Sequence, residues 1–579
     1  MSAILRAVMF IAIAALGVVP GLAQDQTPPT AVDMRYGDQN DPLRVLDVYV
    51  PEDAEGPLPV ILYFHGYGRS KEDAQNENLP QVAEQVGAAV VAVNYSTMLP
   101  DTYADAWCAV SWVQANAETY GFDPGFIVPF GVSYGGLPAT MLAAQDDPSA
   151  FLDCPHPAPD PAAVKGIVSL AGLLPSNLAT LVTFFPDPAL WDQDTVSKLD
   201  PTPAEQWMSL DLPDATRRYL SLWPVTWIDD HEPPHLLIHG AEDSTLPYQD
   251  SYDYATVLAR NDTNVTVLLD SVSGHVPGPE VYDYEIVAFL QRLTASRNYV
   301  PGQQRPSAYN VLYGAPNEGG RRLDVYTPED GEGPYPVVLM FHGSGADKSD
   351  MVEFGLPDIA ARAGAATVAI TYRTHDPAQA YTDAYCALAW VQAHGAEYDL
   401  DPSRLVVLGH SYGALPATML AVQDNPPDIS ADCPHPAADP SAIDGVISIA
   451  GLLVGSGEAM QEFAPRAGIW QASELPATML ATPPEDWLTL DLPAPLHQAI
   501  SLLPMAQIDA NEPPHLLVHG TQDETIPYQQ TLDYAGILSR NGTSATVVLD
   551  RYSGHVPPPF AYDREMIAFL QRAFNQPES

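Results

Sequence analysis

The feature that most constrains this chain is an internal duplication. Leu46-Asp47-Val48-Tyr49 recurs as Leu323-Asp324-Val325-Tyr326, and the segment Glu232–Leu237 recurs as Glu512–Leu517. The offset in residue number drifts only from 277 (323 − 46) to 280 (512 − 232), so the intervening sequence is repeated almost throughout. Solenoid repeats are about 20–50 residues long. Each copy is therefore predicted to be a complete domain.

The repeat and the N-terminal pattern predict the organisation of the 579 residues. A basic start, an apolar run at 8–19 and the small residues Gly21 and Ala23 predict a signal peptide over residues 1–23. The apolar run is shorter than the ~20 residues of a membrane span, which disfavours the alternative of an uncleaved anchor. We expect one domain at 30–296, a linker at 297–305 and a second domain at 306–579. The mature protein is predicted to be secreted or periplasmic, with no membrane association.

The charge excludes several classes of partner. There are 24 Lys and Arg residues against 73 Asp and Glu residues, a formal net charge of −49. Nucleic acids and anionic membrane surfaces require clustered basic residues, so neither is an expected partner. The acidity fits either a saline habitat or an ordinary soluble exported protein, and the sequence does not decide the oligomeric state.

Short apolar runs alternate with helical stretches in each copy. In the first copy, strands are predicted at 59–64, 88–93, 125–130, 164–170, 235–239 and 265–269, and helices at 101–120, from 136, around 248–260 and at 281–293. This alternation predicts an α/β fold with a mostly parallel sheet covered by helices on both faces. Functional loops of such sheets lie beyond the carboxyl ends of the strands.

A nucleophile motif stands between a predicted strand and a predicted helix in both copies. Ser133 lies in Gly-Val-Ser-Tyr-Gly, and Ser411 lies in Gly-His-Ser-Tyr-Gly. Glycines flank the serine because the strand-to-helix turn is tight, which leaves the serine Oγ exposed at its apex. A plain glycine-rich turn is the alternative for a single copy, but both copies carry the motif in the same context.

Each copy also supplies an aspartate and a histidine in the same order. Asp243 and Asp523 end strand-like segments, and His275 and His555 follow them at the same spacing in both copies (275 − 243 = 555 − 523). Histidine can take the serine proton, while the carboxylate orients the imidazole and stabilises its cation. The repeated order and spacing predict two Ser-His-Asp triads.

Small-residue loops after the predicted strand at 59–64 and after its counterpart in the second copy predict oxyanion holes. The loops read Phe-His-Gly-Tyr-Gly at 64–68 and Phe-His-Gly-Ser-Gly at 341–345. Backbone amides in such a loop, together with the amide after the nucleophile, can bind a developing oxyanion. The predicted donors are the main chains of Tyr67 and Tyr134 in one copy and of Ser344 and Tyr412 in the other.

With these motifs, both copies resemble the secreted carboxylesterase branch of the α/β-hydrolase superfamily. They are similar to its feruloyl and acetyl-xylan esterase-like group, also through Asp105-Ala106-Trp107 and the segments 121–124 and 221–240. The resemblance implies hydrolysis of a small-molecule or carbohydrate ester through an acyl-enzyme, with no cofactor and no metal. The oxyanion loops depart from the common HGGG pattern, and tyrosine follows each serine where alanine is frequent. These departures leave the substrate open.

The four cysteines are divided equally between the copies. Three pairings are possible, and the duplication favours Cys108 with Cys154 and Cys386 with Cys433. In an exported protein these should be disulfides that tie the helix before the nucleophile strand to the end of the nucleophile helix. Free thiols or a metal site are the alternatives; two cysteines per copy make poor zinc spacing, and His156 and His435, which sit beside cysteines, are better explained as structural histidines.

Two inserts break the strand–helix rhythm, at 175–230 and 454–510. The first contains Trp191, Trp207, Trp223 and Trp227, and the second keeps Trp470 and Trp487. Each insert is either a small helical lid over the substrate pocket or ordinary helical packing, and different lids would give the two sites different substrate preferences.

Two other functions share parts of this pattern. A peptidase of the prolyl oligopeptidase type has the same motif order, but the chain lacks a propeller-sized N-terminal domain. A binding or scaffold protein built on inactive hydrolase folds would show loss of triad residues in one copy, whereas both copies are complete.

Overall fold

The structure is a computed structural model of the chain, divided into two compact units. It describes residues 27–38, 43–52, 56–150, 154–184, 189–294, 304–315, 320–329, 331–374, 376–423, 432–463, 477–510 and 512–575. The first unit comprises the residues up to Thr263 together with Gly274–Asp283, and the second comprises Asn264–Ser273 and the residues from Tyr284 onward. The predicted signal peptide lies outside the described residues, as does most of the predicted linker. The domain boundaries at 30–296 and 306–579 follow the repeats and stay a prediction.

The first unit contains a mostly parallel sheet. Its strands lie side by side in the order β1-β2-β4-β3-β5-β6-β7, with β1–β2 and β2–β4 antiparallel and the other pairs parallel. The strands are β1 (Ala31–Arg35), β2 (Val45–Tyr49), β3 (Leu58–Phe64), β4 (Ala89–Val93), β5 (Phe122–Val132), β6 (Ile167–Leu170) and β7 (His235–Gly240).

Helices connect these strands. They are α1 (Leu79–Val86), α2 (Asp101–Ala115), α3 (Ala117–Tyr120), α4 (Gly136–Ala144), α5 (Leu178–Phe184), α6 (Gln193–Leu199), α7 (Asp214–Leu220) and α8 (Gln249–Arg260); α9 (Pro279–Thr294) crosses the division between the units. The predicted helix at 101–120 is interrupted at Asn116, whose side-chain amide bonds the carbonyl of Trp112 and ends α2.

The second unit repeats this arrangement. Its strands are β8 (Val265–Asp270), β9 (Ala308–Leu312), β10 (Arg322–Tyr326), β11 (Tyr335–Phe341), β12 (Ala366–Thr371), β13 (Leu400–His410), β14 (Ile443–Ile449), β15 (His515–Gly520) and β16 (Ala545–Asp550). Their order is β9-β10-β12-β11-β13-β14-β15-β16-β8. The pairs β9–β10, β10–β12 and β16–β8 are antiparallel, and the others are parallel.

The helices of the second unit follow the same sequence of elements. They are α10 (Lys348–Glu353), α11 (Leu356–Arg362), α12 (Pro377–His394), α13 (Ala414–Val422), α14 (Gly457–Phe463), α15 (Ala477–Leu480), α16 (Ala494–Ile500), α17 (Gln529–Arg540) and α18 (Asp563–Phe574). Within the described part of the chain, no helix is both long and apolar enough to cross a bilayer.

The central strands are apolar on both faces, as expected for a sheet covered by helices on either side. In the second unit, alternate residues of β11, β13 and β14 form one core with α18. Its members include Val338, Met340, Val406, Leu408, Ile447, Met566 and Phe569, all with 1% exposure or less. The α/β architecture predicted from the sequence is confirmed. The carboxyl ends of β5, β7, β13 and β15 carry the residues considered next.

Candidate active sites

The first predicted nucleophile lies on a sharp turn between β5 and α4. Ser133 has a φ of +53°, the left-handed backbone region that side chains rarely adopt. The flanking glycines are sterically required, because a Cβ on Gly131 would lie 2.1 Å from the carbonyl oxygen of Gly135. A Cβ on Gly135 would lie 2.1 Å from the carbonyl oxygen of Phe64 at the end of β3. The pentapeptide therefore forms the strained turn that the sequence predicts.

The second unit has the same turn between β13 and α13. Ser411 has a φ of +54°. A Cβ on Gly409 would lie 2.3 Å from the carbonyl oxygen of Gly413, and one on Gly413 would lie 2.2 Å from that of Phe341. Both turns are thus held by the same close backbone contacts.

The three predicted triad residues of the first unit lie together at the carboxyl edge of the sheet. Ser133 Oγ lies 2.8 Å from His275 Nε2, and His275 Nδ1 lies 2.7 Å from Asp243 Oδ2. The other carboxylate oxygen, Asp243 Oδ1, accepts hydrogen bonds from the amides of Thr245 (2.7 Å) and Leu246 (3.0 Å). An unbroken chain of hydrogen bonds therefore connects the serine to a fixed carboxylate.

The second unit reproduces this geometry closely. His555 Nε2 lies 2.9 Å from Ser411 Oγ, and His555 Nδ1 lies 2.8 Å from Asp523 Oδ2. Asp523 Oδ1 accepts from the amides of Thr525 (2.7 Å) and Ile526 (3.0 Å). All six residues predicted from the motifs are therefore brought together, in two sets of three. Their catalytic roles remain to be tested.

Both carboxylates stay ionised despite their burial. Burial alone would raise the pKa of Asp243, but hydrogen bonds from His239, His275 and the amide of Leu246 hold that pKa below its usual value. The same balance of burial and hydrogen bonds lowers the pKa of Asp523. Each carboxylate is therefore a full negative charge beside its imidazole at neutral pH.

The loop after β3 lies against the first serine. A Cβ built on Gly66 would be 3.4 Å from the Cβ of Ser133, so the main chain passes directly beside the nucleophile. The amide of Tyr67 has no acceptor among the described residues. Tyr134 follows Ser133 in the turn. These positions suit the predicted oxyanion donors, whose role stays a prediction.

The loop after β11 has the same relation to the second serine. A Cβ on Gly343 would be 3.2 Å from the Cβ of Ser411. The Ser344 amide likewise lacks an acceptor within the described residues, and Tyr412 follows Ser411. The donors predicted for this unit are therefore placed as in the first unit.

Sequence reasoning assigned no role to one histidine in each unit. His239 Nε2 lies 2.9 Å from Asp243 Oδ2, and His519 Nε2 lies 3.0 Å from Asp523 Oδ2. The signal was present in the sequence, because each histidine begins the His-Gly-x-x-Asp segment that ends in the triad aspartate.

The two sites differ in their surroundings. The side chain of Tyr67 is 40% exposed, and its ring centroid lies 6.2 Å from that of Tyr134, whereas the second unit has Ser344 at this position. Val132 before the first nucleophile corresponds to His410 before the second, whose Nε2 lies 3.3 Å from the carbonyl oxygen of His555. Burial is the main cause that lowers the pKa of His410 to about 4, so this ring is neutral at pH 7.

The inserts pack closely on themselves. Trp207 and Trp223 are almost fully buried, and Trp207 Nε1 donates to the carbonyls of Leu199 and Thr202. Trp487 makes the equivalent contacts in the second unit. Packing therefore accounts for these three tryptophans, while Trp227 is 36% exposed.

The remaining two tryptophans complete this comparison. The ring of Trp191 meets Tyr219 edge to face within the first insert, and Trp470 lies outside the described residues. Whether the inserts act as lids over the pockets stays a prediction.

Both predicted disulfides are present. Cys108 pairs with Cys154 and Cys386 pairs with Cys433, with Cα–Cα distances of 5.4 and 5.5 Å. One detail of the prediction was wrong: α4 ends at Ala144, so Cys154 lies beyond it in the segment before β6, and the bond ties α2 to that loop. The cysteines are thus unavailable as metal ligands. The described residues contain one cluster of potential metal-ligating groups, Asp229–His231, which is exposed.

The sheet order and the strand–nucleophile–helix turn define each unit as an α/β hydrolase. Comparison with known families agrees. The family model described as BD-FAE matches residues 46–258 and again 323–538. The chain therefore belongs to the BD-FAE family and carries its domain twice.

Several curated relatives are esterases. Over 240 residues the chain is 27% identical to "Probable carboxylic ester hydrolase LipM" of Mycobacterium tuberculosis, covering 39% of this chain and 51% of the relative. Over 102 residues it is 33% identical to "Carboxylesterase NlhH" of the same organism, covering 17% of this chain and 32% of the relative. The chain thus spans about a third of the length of one of these relatives and about half of the other.

Two solved structures that are similar to part of this chain are also esterases. One is the Thermogutta terrifontis esterase Est2 with propionate bound, at 22% identity and a TM-score of 0.33, covering 43% of this chain and 85% of that one. Another is a truncated carbohydrate esterase from gut microbiota, at 19% identity and a TM-score of 0.36, covering 48% of this chain and 100% of that one. Neither similarity bears on the substrate.

Proposed function

We propose that this chain is an exported serine esterase that hydrolyses carboxylic esters at two sites, one in each unit. The observation that carries the proposal is the unbroken hydrogen-bond chain from serine through histidine to aspartate, present twice with nearly the same distances. The family relation and the esterase relatives support ester hydrolysis as the reaction class.

Acylation follows from the geometry of the first site. Ser133 Oγ attacks the ester carbonyl carbon while His275 Nε2, at 2.8 Å, takes the hydroxyl proton. The resulting imidazolium donates to Asp243, whose ionised carboxylate stabilises the cation and keeps Nε2 directed at the serine. The backbone amides of Tyr67 and Tyr134 would bind the oxyanion.

The remaining steps reuse the same groups. His275 returns the proton to the alcohol oxygen, the carbon–oxygen bond breaks, and the alcohol leaves an acyl group on Ser133. A water molecule then attacks the acyl carbonyl as His275 takes its proton, and the acid is released with regeneration of the serine. Ser411, His555 and Asp523 would perform these steps in the second unit, and no step requires a cofactor or metal.

We further propose that the two sites prefer different esters. The Tyr67 and Tyr134 rings lie 6.2 Å apart between centroids, and we infer that they form an aromatic wall beside Ser133, whereas Ser344 stands in the second site where the first has Tyr67. Aromatic rings favour flat apolar groups through offset or edge contacts. Small-molecule and carbohydrate esters both fit this proposal.

Export is part of the proposal. Disulfides persist in oxidising compartments and are rare in a reducing cytosol. The two disulfides therefore support a secreted or periplasmic location, in agreement with the signal peptide predicted at residues 1–23. N-terminal sequencing of the protein recovered from outside the cytoplasm should find a start after Ala23, and a start at Met1 would contradict export by cleavage.

The activity is tested with four chains: the unmodified protein, Ser133→Ala, Ser411→Ala and the double variant. Each is assayed with p-nitrophenyl esters of increasing acyl length, feruloyl sugars and peptide amides. We expect both single variants to retain ester hydrolysis with different substrate profiles, and the double variant to lose at least ~1,000-fold in rate. Hydrolysis of amides in preference to esters would favour a peptidase, and unchanged rates in the double variant would refute the proposal.

A further inference from the structure

A second histidine lies behind the triad aspartate in both units. His239 and His519 are the last residue but one of β7 and β15, and both are 0% exposed. In the first unit, His239 Nε2 approaches the same oxygen, Asp243 Oδ2, that His275 Nδ1 approaches from the other side. In the second unit, His519 Nε2 and His555 Nδ1 share an oxygen of the aspartate in the same way.

The partners of His239 determine which of its nitrogens carries the proton. Nε2 lies 2.9 Å from the Asp243 carboxylate and 3.1 Å from the carbonyl oxygen of Leu246. Both partners only accept hydrogen bonds, so Nε2 must be protonated. Nδ1 lies 2.8 Å from the hydroxyl of Ser251, which can donate to it. The neutral ring with its proton on Nε2 therefore satisfies every contact.

In the second unit, His519 has the same kinds of hydrogen-bond partners, but a different residue supplies the hydroxyl group. His519 Nε2 lies 3.0 Å from Asp523 Oδ2 and 2.8 Å from the carbonyl oxygen of Ile526. Its Nδ1 lies 2.6 Å from the hydroxyl of Thr531, where the first unit has a serine. The side chain that carries the hydroxyl has changed between the copies, while the donor to the histidine has been kept.

These contacts complete the restraint of the carboxylate. In the first unit, Asp243 Oδ1 accepts two backbone amides, and Oδ2 accepts one imidazole N–H from each side. The Asp243 side chain is 0% exposed, and that of His275 is 26% exposed, so only His275 extends toward solvent. His239 is sealed behind the carboxylate and cannot touch a substrate.

We propose that His239 and His519 are positioning residues for the esterase reaction: each donates a hydrogen bond from Nε2 to its aspartate and thereby fixes the carboxylate against the reacting histidine. The proposal rests on the esterase function proposed above. Ser251 and Thr531 support the same arrangement by holding the required tautomer. Nothing in this role requires contact with the ester.

The experiment uses single-site chains, so that each site is measured alone. In the Ser411→Ala chain, His239→Phe removes the donor with little loss of ring volume, and His239→Gln restores an N–H group near the position of Nε2. The matched control is His235→Phe, because His235 is also buried on β7 but bonds the carbonyl of Pro233 instead of the aspartate. The mirror set in the Ser133→Ala chain is His519→Phe, His519→Gln and His515→Phe.

We expect His239→Phe to lower kcat by about 10- to 100-fold, the effect of losing a hydrogen bond to a charged group, with KM within about twofold. His235→Phe should leave kcat within about threefold of its parent chain, even if its unfolding midpoint falls by as much as that of His239→Phe. The kcat of His239→Gln should be at least about tenfold higher than that of His239→Phe. Equal loss of kcat in His235→Phe and His239→Phe would overturn the proposal, since both changes would then act through folding alone.

Two further readouts keep the result decisive. If His239→Phe does not fold, Ser251→Ala tests the tautomer in its place and should lower kcat about threefold or more; an unchanged kcat would overturn the proposal. Failure of the esterase function itself looks different, because the parent chains Ser411→Ala and Ser133→Ala would then both be inactive before any histidine is changed.

Discussion

Replacement of Gly135 by alanine tests the nucleophile turn most sharply. The added Cβ would lie 2.1 Å from the carbonyl oxygen of Phe64, with the carbonyl oxygen of His65 at 2.9 Å. Ordinary van der Waals contact begins near 3.4 Å, so the turn must move by more than an ångström to relieve the closer of these contacts. The atoms in the way are backbone of a paired strand, which cannot rotate aside as a side chain would. The displacement therefore falls on the segment that carries Ser133.

The expected magnitude follows from this displacement. A misplacement of about 1 Å at a reacting group costs about 100-fold in rate, and overpacking costs about 1–3 kcal/mol in the free energy of unfolding. In the Ser411→Ala chain, we therefore expect Gly135→Ala to lower kcat/KM for a p-nitrophenyl ester by at least about 100-fold. Denaturant unfolding, measured in parallel, should show that most of the protein is still folded at the assay temperature.

The control lies on the same strand. Gly125 is part of β5, and a Cβ there would meet only the side-chain oxygen of Asp123 at 3.4 Å. Gly125→Ala should therefore keep kcat/KM within about twofold. The reasoning fails if Gly135→Ala folds and retains activity within about threefold of its parent, because the close contact would then not control the position of Ser133.

Three further predictions concern stability and specificity. Burial is the main cause that raises the pKa of Glu232 to about 8. The folded chain therefore keeps a proton that the unfolded chain releases above pH ~4.5, so the free energy of unfolding falls as the pH rises from about 4.5 to about 8. Glu232→Gln should reduce this fall by up to about 1.4 kcal/mol per pH unit in urea unfolding at pH 5 to 8, and an unchanged slope would contradict it. Tyr67→Ser should lower the preference of the first site for aryl over alkyl esters by about 2- to 10-fold, and Ser344→Tyr should raise it in the second; parallel changes for both ester types would count against an aromatic wall. Replacing both Cys108 and Cys154 with serine should lower the free energy of unfolding by about 2–5 kcal/mol, whereas an unmoved urea midpoint would show that the bond adds no stability.

The sequence predicted best those features that local sterics determine. The Gly-x-Ser-x-Gly turn was predicted from its pentapeptide: Gly131 is required by the carbonyl of Gly135 within the turn, and Gly135 is required by the carbonyl of Phe64 at the end of β3. The ends of the central strands were predicted to within a few residues, since each of these strands is a short apolar run with no polar face to expose to solvent. The antiparallel strands β1 and β2 were not predicted as strands; β1 (Ala31–Arg35) is a short, partly exposed edge segment of mixed polarity, whereas β2 (Val45–Tyr49) is mostly buried.

Some features that depend on tertiary contact were not predicted from the sequence. His239 lies only a few residues before Asp243 in the sequence, but its role depends on how the turn after β7 brings the carboxylate back against the imidazole ring. The position of Cys154 beyond α4 was missed although the sequence marks the end of that helix, because Ala144 is followed by Gln145-Asp146-Asp147-Pro148 and a proline cannot continue a helix. The sequence could not show which tryptophans of the inserts are packed inside and which line a pocket, because Trp207 and Trp227 differ only in their burial.

The central claim is that this chain contains two working nucleophiles, and active-site titration tests it most directly. The full chain is treated with a fluorophosphonate, and the labels are counted by intact mass. We predict two labels for the unmodified chain, one for Ser133→Ala, one for Ser411→Ala and none for the double variant. No label on the folded unmodified chain would contradict the account, and a single label removed by only one of the substitutions would show that the other site does not react.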